Sequence, residues 1–233
     1  MSNLNKILIT LAIIALIFGV GIVFAQEEQE EATPTNIEGI QPGDLGVGKP
    51  NILPDSPFYF LKEWGRKIQS FFVFNPVAKA QLQEKFANEK LLELEKMIEE
   101  NKSQEKLENA IQNYQNGMEE VKKIAEKIKE KAEENEDVSN FLDKFVQQQT
   151  LHQEILEKLE TQVPTEVFEK IKEAREQHLE RFEEVMTKLE TNKEALQERL
   201  EKNLQEVPQA KEKLNQIKNR ILEKVRERQE RQE

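Results

Sequence analysis

From Pro57 onwards, apolar positions recur in steps of three and four residues, and each such run predicts an α-helix. In the first run Phe58, Leu61, Gly65, Ile68 and Phe72 share a stripe. Phe60, Trp64 and Phe71 widen it, and Lys62, Glu63, Arg66, Lys67 and Ser70 lie opposite. Asp55 and Ser56 offer N-cap oxygens, and Pro57 suits the first helical position because its missing N–H would have had no intrahelical partner. The stretch Leu53 to Phe74 holds five of the twelve Phe, the single Trp and one of the two Tyr. It therefore predicts an amphipathic helix with a large aromatic face.

A second helix starts at Asn75 and Pro76, with Ala80, Ala87, Leu91, Leu94 and Ile98 as its stripe to about Asn101. Ser103 can cap a third, in which Leu107, Ile111, Tyr114, Met118, Val121, Ala125, Ile128 and Ala132 alternate by four and three in a coiled-coil-like seam. Asn116-Gly117 falls inside that seam, and the unbroken register favours a locally weakened helix over a turn. The cluster Glu133 to Asp137 marks a turn. A fourth helix follows on Val138, Leu142, Phe145, Leu156 and Leu159, with Gln149 and His152 on the same face. Val163-Pro164 ends it and Thr165 can cap the fifth. The fifth runs from Glu166 to about Leu204 on Val167, Ile171, Ala174, His178, Phe182, Val185, Leu189, Leu196 and Leu200. Val207-Pro208 breaks or kinks it, and a last stripe of Leu214, Ile217, Ile221 and Val225 leads into a charged end that should fray.

The fold class predicted is all-α: an elongated multi-helix bundle with coiled-coil-like long helices, preceded by a hydrophobic N-terminal segment and a flexible linker. Residues 1–25 form the hydrophobic segment, 26–54 a Pro/Gly/acidic linker without fixed structure, 55–207 the helical domain and 208–233 a charged C-terminal helix. Lys6 is the only charge before nineteen uncharged residues, Ile7 to Ala25. As a helix these would measure about 28 Å, close to the bilayer hydrocarbon. Val23-Phe24-Ala25 also reads as a signal-peptidase site, so both a cleaved signal peptide and a retained anchor fit. In either case the body is extracytoplasmic, secreted or held at the cell membrane, because Lys6 stays inside and Glu27, Glu28, Glu30 and Glu31 follow the segment.

The run Leu53-Pro54-Asp55-Ser56-Pro57-Phe58-Tyr59-Phe60, followed by Phe74-Asn75-Pro76 and a Lys/Glu/Ala-rich helix, resembles a helical bacterial extracytoplasmic domain family of unknown function with a Pro-x-Ser-Pro-aromatic-Tyr opening motif. His152-Gln153-Glu154-Ile155-Leu156-Glu157 and Val163-Pro164 resemble its later His-x-x-Leu-Glu and Val-Pro elements. Asn75 stands where that family has Asp, which leaves N-capping possible. The resemblance covers roughly Leu53 to Lys188 and implies a secreted or anchored helical domain and no reaction.

Composition narrows the chemistry. With 34% charged and 37% hydrophobic residues there is little material for a thick core, and thin helical packing is the natural solution. A net charge of -11 argues against general nucleic-acid binding; the small basic excess from Pro208 to Glu233 is that of a solvated helix face. The absence of Cys excludes disulfides, thiolate metal sites, a Cys nucleophile and a lipid-modified N-terminal Cys. No Gly-rich phosphate loop, HExxH helix or nucleophile elbow occurs, and the many Glu are ordinary i,i+4 partners of Lys. Neither an enzyme nor a cofactor is expected.

His152 and His178 are the only histidines. A hairpin about Pro164 would bring them to similar heights on the inner face, where Zn or Cu could bind with help from Glu154 or Glu176. Two ligands fall short of a normal site, however, and those Glu point to another side of each helix. A packed polar pair is the expectation. For the aromatic helix, burial against the long helices is expected over an interfacial position at a membrane. Pro57, Phe58, Tyr59, Leu61, Trp64, Ile68, Phe71, Phe72, Pro76 and Pro164 are then structural residues. The functional expectation is a non-enzymatic structural or interaction module of the cell envelope, with an unidentified protein partner or self-association, and membrane contact through the N-terminal segment if it is uncleaved. The alternatives are a peripheral membrane-binding helical protein and an envelope metal or stress sensor.

Overall fold

The computed structural model describes residues 40–131, 136–190, 193–206 and 211–230. The apolar segment 1–25, residues 26–39 of the 26–54 linker, Ala132 to Asn135 and the Val207-Pro208 break lie outside them, as do the side chains of Leu214, Ile217 and Val225. The described residues contain no strand and seven helices: α1 Tyr59–Phe72, α2 Pro76–Glu99, α3 Gln104–Lys131, α4 Glu136–Glu160, α5 Thr165–Leu189, α6 Lys193–Glu206 and α7 Lys211–Glu230. None of them is long and apolar enough to cross a membrane.

The four long helices α2 to α5 form the bundle. α2 packs on α3 and α4, and α5 packs on α3 and α4. Gln115 with Gln177 and Glu119 with Arg181 are each 62 residues apart, and Lys122 with Glu184 and Glu126 with Lys188 keep the same spacing. A constant offset can arise only if α3 and α5 run parallel. Glu84 with Gln149 and Asn88 with His152, 65 and 64 residues apart, set α2 parallel to α4 in the same way. The heptad seam lies inside: Leu107, Ile111, Tyr114, Met118, Val121, Ala125 and Ile128 are all buried. Tyr114, Phe141, Phe145 and Phe182 are fully enclosed, each contributing roughly 1.5–3 kcal/mol by burial.

Gly117 has a packing reason. A Cβ there would sit 3.3 Å from the Ala87 Cα, so its absence lets the α2 and α3 backbones approach. The helix runs through it without a break.

The ends of α2 follow its local sequence signals, and those of α1 and α5 do not. Asn75 Oδ1 accepts from the Ala78 N–H at 3.0 Å with Pro76 as first residue, and Asn101, at φ 51°, ends the helix in a left-handed conformation suited to Asn. By contrast, α1 begins at Tyr59, two residues later than expected, and has no side-chain cap. Asp55 is drawn instead to Lys102 and Lys106, and Ser56 Oγ accepts from the Phe58 N–H within a turn. Pro164, not Thr165, is the N-cap of α5, its carbonyl accepting from Val167 and Phe168. The expected fifth helix is two: Glu190 is extended, and Leu196 and Leu200 reach the core from α6, which packs on α4.

The linker also needs correction. Pro42–Leu45 is a 3-10 turn ended by Gly46 at φ 66°, and Leu45 is buried against α2 and α4. Leu45 docks the turn together with Ile40 and Val47, which also pack against the core, and α2 presents the buried Asn88 amide to the Leu45 carbonyl.

Candidate interaction surface and the buried polar chain

Helix α1 lies on α2 with its polar side inward. The Arg66 guanidinium, 6% exposed, donates to Glu89 Oε2 at 2.7 Å and to Glu93 Oε1 at 2.6 Å, and pairs with Glu63 on its own helix. Tyr59 donates its hydroxyl to Glu93 Oε2 at 2.6 Å, and Lys62 reaches Glu93 Oε1 at 2.7 Å. Lys90 faces Glu63, and the Ser70 hydroxyl accepts from the Gln83 amide. Three cations meet three carboxylates, so the group is neutral overall, and the fully buried Glu93 carboxylate has a donor on each oxygen. Burial raises the Tyr59 phenol far above its ordinary value, and the Glu93 charge adds to this, so it stays a donor. Burial alone would also raise Glu63, but Lys90 and Arg66 more than offset it and hold the carboxyl below its usual range.

The other side of α1 faces solvent. Trp64 is 66% exposed and Phe71 71%, and Phe58, Phe60, Leu61, Ile68, Phe72 and Phe74 are exposed with them. The expectation of burial therefore fails for Phe58, Leu61, Trp64, Ile68, Phe71 and Phe72, and holds for Tyr59 alone. The amphipathic pattern was right; its orientation is reversed. Glu89 and Glu93 on α2 give the basic side of α1 a set of charged hydrogen bonds that the core could not offer its rings. Pro57 is exposed in the turn before the helix, while Pro76 and Pro164 hold the helix starts described above.

Inside the bundle a second polar group runs through four elements. Asn88 on α2 spends both amide hydrogens, on the Leu45 carbonyl at 2.8 Å and on Gln148 Oε1 at 2.7 Å. Its oxygen can only accept, so His152 Nε2, 2.7 Å away, carries the proton. His152 Nδ1 is then the acceptor for the Tyr114 hydroxyl at 3.0 Å. The chain Tyr114 to His152 to Asn88 to Leu45 thus ties α3, α4 and α2 to the docked turn. His178 on α5 packs edge-on against His152, with ring centroids 5.3 Å apart, and neither of its nitrogens has a hydrogen-bond partner among the described residues. Burial pushes His152 down to about 3 and lowers His178 well below its ordinary value, so both are neutral.

The hairpin therefore brings the two histidines together as the spacing implied. Both nitrogens of His152 are already engaged, and Glu154 and Glu176 make no ligand set with the pair: among the described residues no group of three or more His, Asp or Glu could hold a metal ion. Asn88 and Glu93, the residues that organise these two groups, were missed from the sequence. Their only signal was polarity at buried phases of α2, beside the apolar stripe.

No curated protein and no solved structure matches the chain. Residues 51–166, which take in α1 to α4 and with them the charged seat of the aromatic helix and the Tyr114–His152–Asn88 chain, match the family model described as Domain of unknown function (DUF5667).

Proposed function

We propose that this protein is a non-enzymatic, extracytoplasmic helical module of the cell envelope whose role is contact, made through the outward face of α1. One observation supports the reading above others. A helix is seated on the bundle by its charges, and its aromatic side is left in solvent. Summing the exposed fractions against ring areas of about 150–250 Å², that face is on the order of 1,000 Å², beyond the roughly 300–600 Å² of the largest patch on an ordinary monomer. Exposed apolar patches of this size mark sites of contact with a partner or a membrane. The buried polar chain belongs to the scaffold in this reading: it fixes the register of the helices that carry the platform. The apolar segment Ile7 to Ala25 and the acidic residues after it support the extracytoplasmic placement.

A photo-crosslinking amino acid placed at Phe71 in intact cells tests this, with one at the solvated Lys123 of α3 as the comparison. Adducts from position 71 and not from 123 are expected. Equal or absent adducts at both positions would remove the contact role from α1.

A further inference from the structure

Resting on that reading, we infer that what covers the aromatic face of α1 is an anionic lipid surface. The width of the face is the first argument. At 100° per residue, Phe60, Leu61, Trp64, Ile68, Phe71 and Phe72 fan over an arc of about 120°, wider than the a/d seam through which one helix seats another. Phe58 and Phe74 extend it at both ends. A convex, smooth, uncharged arc is wetted completely by a fluid apolar medium and only along a strip by a second helix.

Charge is the second argument. The chain has 45 acidic residues in 233, yet between Ser56 and Gln83 the only acid is Glu63, which is turned inward to Arg66 and Lys90. The outward half of α1 therefore presents no negative charge. Lys67, exposed and one step round the helix from Phe60 and Phe71, stands at its edge, where an ammonium can meet anionic headgroups. An acidic protein in which this apolar face is cleared of acids fits a negatively charged surface at that face.

Reach is the third. Between Ala25 and the docked Pro42 lie the sixteen residues Gln26 to Gln41, which span at most about 55 Å. If Ile7 to Ala25 remains as an anchor, this length tethers the docked turn at Pro42, and the domain that carries α1, to the bilayer.

Trp64 is the only Trp, so the full chain carries its own probe at the centre of the face. The test uses full-length protein reconstituted in phosphatidylcholine vesicles with or without phosphatidylglycerol, prepared in parallel with acyl-brominated phosphatidylcholine. A face buried about 5–10 Å into the headgroup boundary should have its Trp64 emission shifted to the blue and cut about two-fold by the bromines, more strongly with the anionic lipid. The double variant Phe60→Asp/Phe71→Asp keeps the N-terminal segment and should restore water-like emission. Trp64 that is shielded from aqueous acrylamide but untouched by the bromines would overturn the lipid inference while leaving the contact reading intact, with a second copy or another protein on the face. Trp64 open to acrylamide on every vesicle also overturns the lipid inference, and the crosslinking at position 71 then decides the contact reading separately.

Discussion

Arg66 and Trp64 stand two residues apart on α1 and have exchanged the places their chemistry suggests: the arginine is 6% exposed and the tryptophan 66%. The guanidinium is held inside by Glu89 and Glu93 of α2, and the indole is held outside by the same geometry, since the two positions lie some 200° apart around the helix. The seat of α1 is therefore electrostatic, and its stability follows the charges.

Replacing Arg66 by Met leaves the buried Glu93 carboxylate with Lys62 and Tyr59 only. Removing one partner from a buried charge group costs roughly 3 kcal/mol. The loss should appear as faster hydrogen exchange along α1, with little change in the melting of α2 to α5, because α1 packs chiefly on α2.

Phe71→Asp is expected to leave the melting temperature essentially unchanged, within about 0.5 kcal/mol, since the ring it removes is 71% exposed. A loss of several degrees in thermal unfolding would mean that the ring packs against the bundle.

The two histidines should respond oppositely to the same change. His152→Leu strands the Tyr114 hydroxyl and the Asn88 oxygen and should destabilise by about 2–3 kcal/mol. His178→Leu removes two buried nitrogens that bond to nothing described, and should be neutral or stabilise by about 1 kcal/mol. Urea unfolding of both variants reads the contrast directly.

Stability should also depend on pH from both sides. His152 and His178 are neutral in the fold but take up protons in the unfolded chain below the ordinary 6.5, so their contribution is complete above pH 6.5 and is lost as pH falls, for His152 down to about 3. Glu84 is the reverse case. Burial raises it from 4.5 to about 8, and Glu95 rises to about 7 through burial and the neighbouring Glu99, so their contribution is complete below pH 4.5 and lost as pH rises through those values. Between pH 4.5 and 6.5 the two pairs oppose one another and the profile should be nearly flat. Below it stability should fall by about 1.4 kcal/mol per pH unit for each histidine. Glu84→Gln should remove the Glu84 share of the alkaline loss, leaving that of Glu95, and keep the fall below pH 4.5 as it was, in melts taken across the range.

Gly117→Val should cost about 1–3 kcal/mol, because its side chain meets the Ala87 backbone where α2 and α3 lie closest. A chemical-denaturation midpoint is sufficient to measure it.

The periodicity of apolar residues was enough to place α2 to α4 and the start of α5 and to name their buried faces, because a step of three and four has one structural meaning in a long chain of good helix formers; it ran on through the break at Glu190, which interrupts the helix without interrupting the stripe. The heptad seam from Leu107 to Ile128 and the meeting of His152 with His178 follow from that spacing. What only the tertiary structure decided was which side of α1 turns inward. An amphipathic helix can be satisfied either way: its rings by a core, or its charges by opposite charges. Glu89 and Glu93 look like two more solvated acids in the sequence until the fold sets them beneath Arg66 and Lys62. The docking of Leu45 and the single tautomer of His152 were hidden for the same reason. Each depends on a hydrogen bond between residues far apart in the chain, and such bonds leave no period behind.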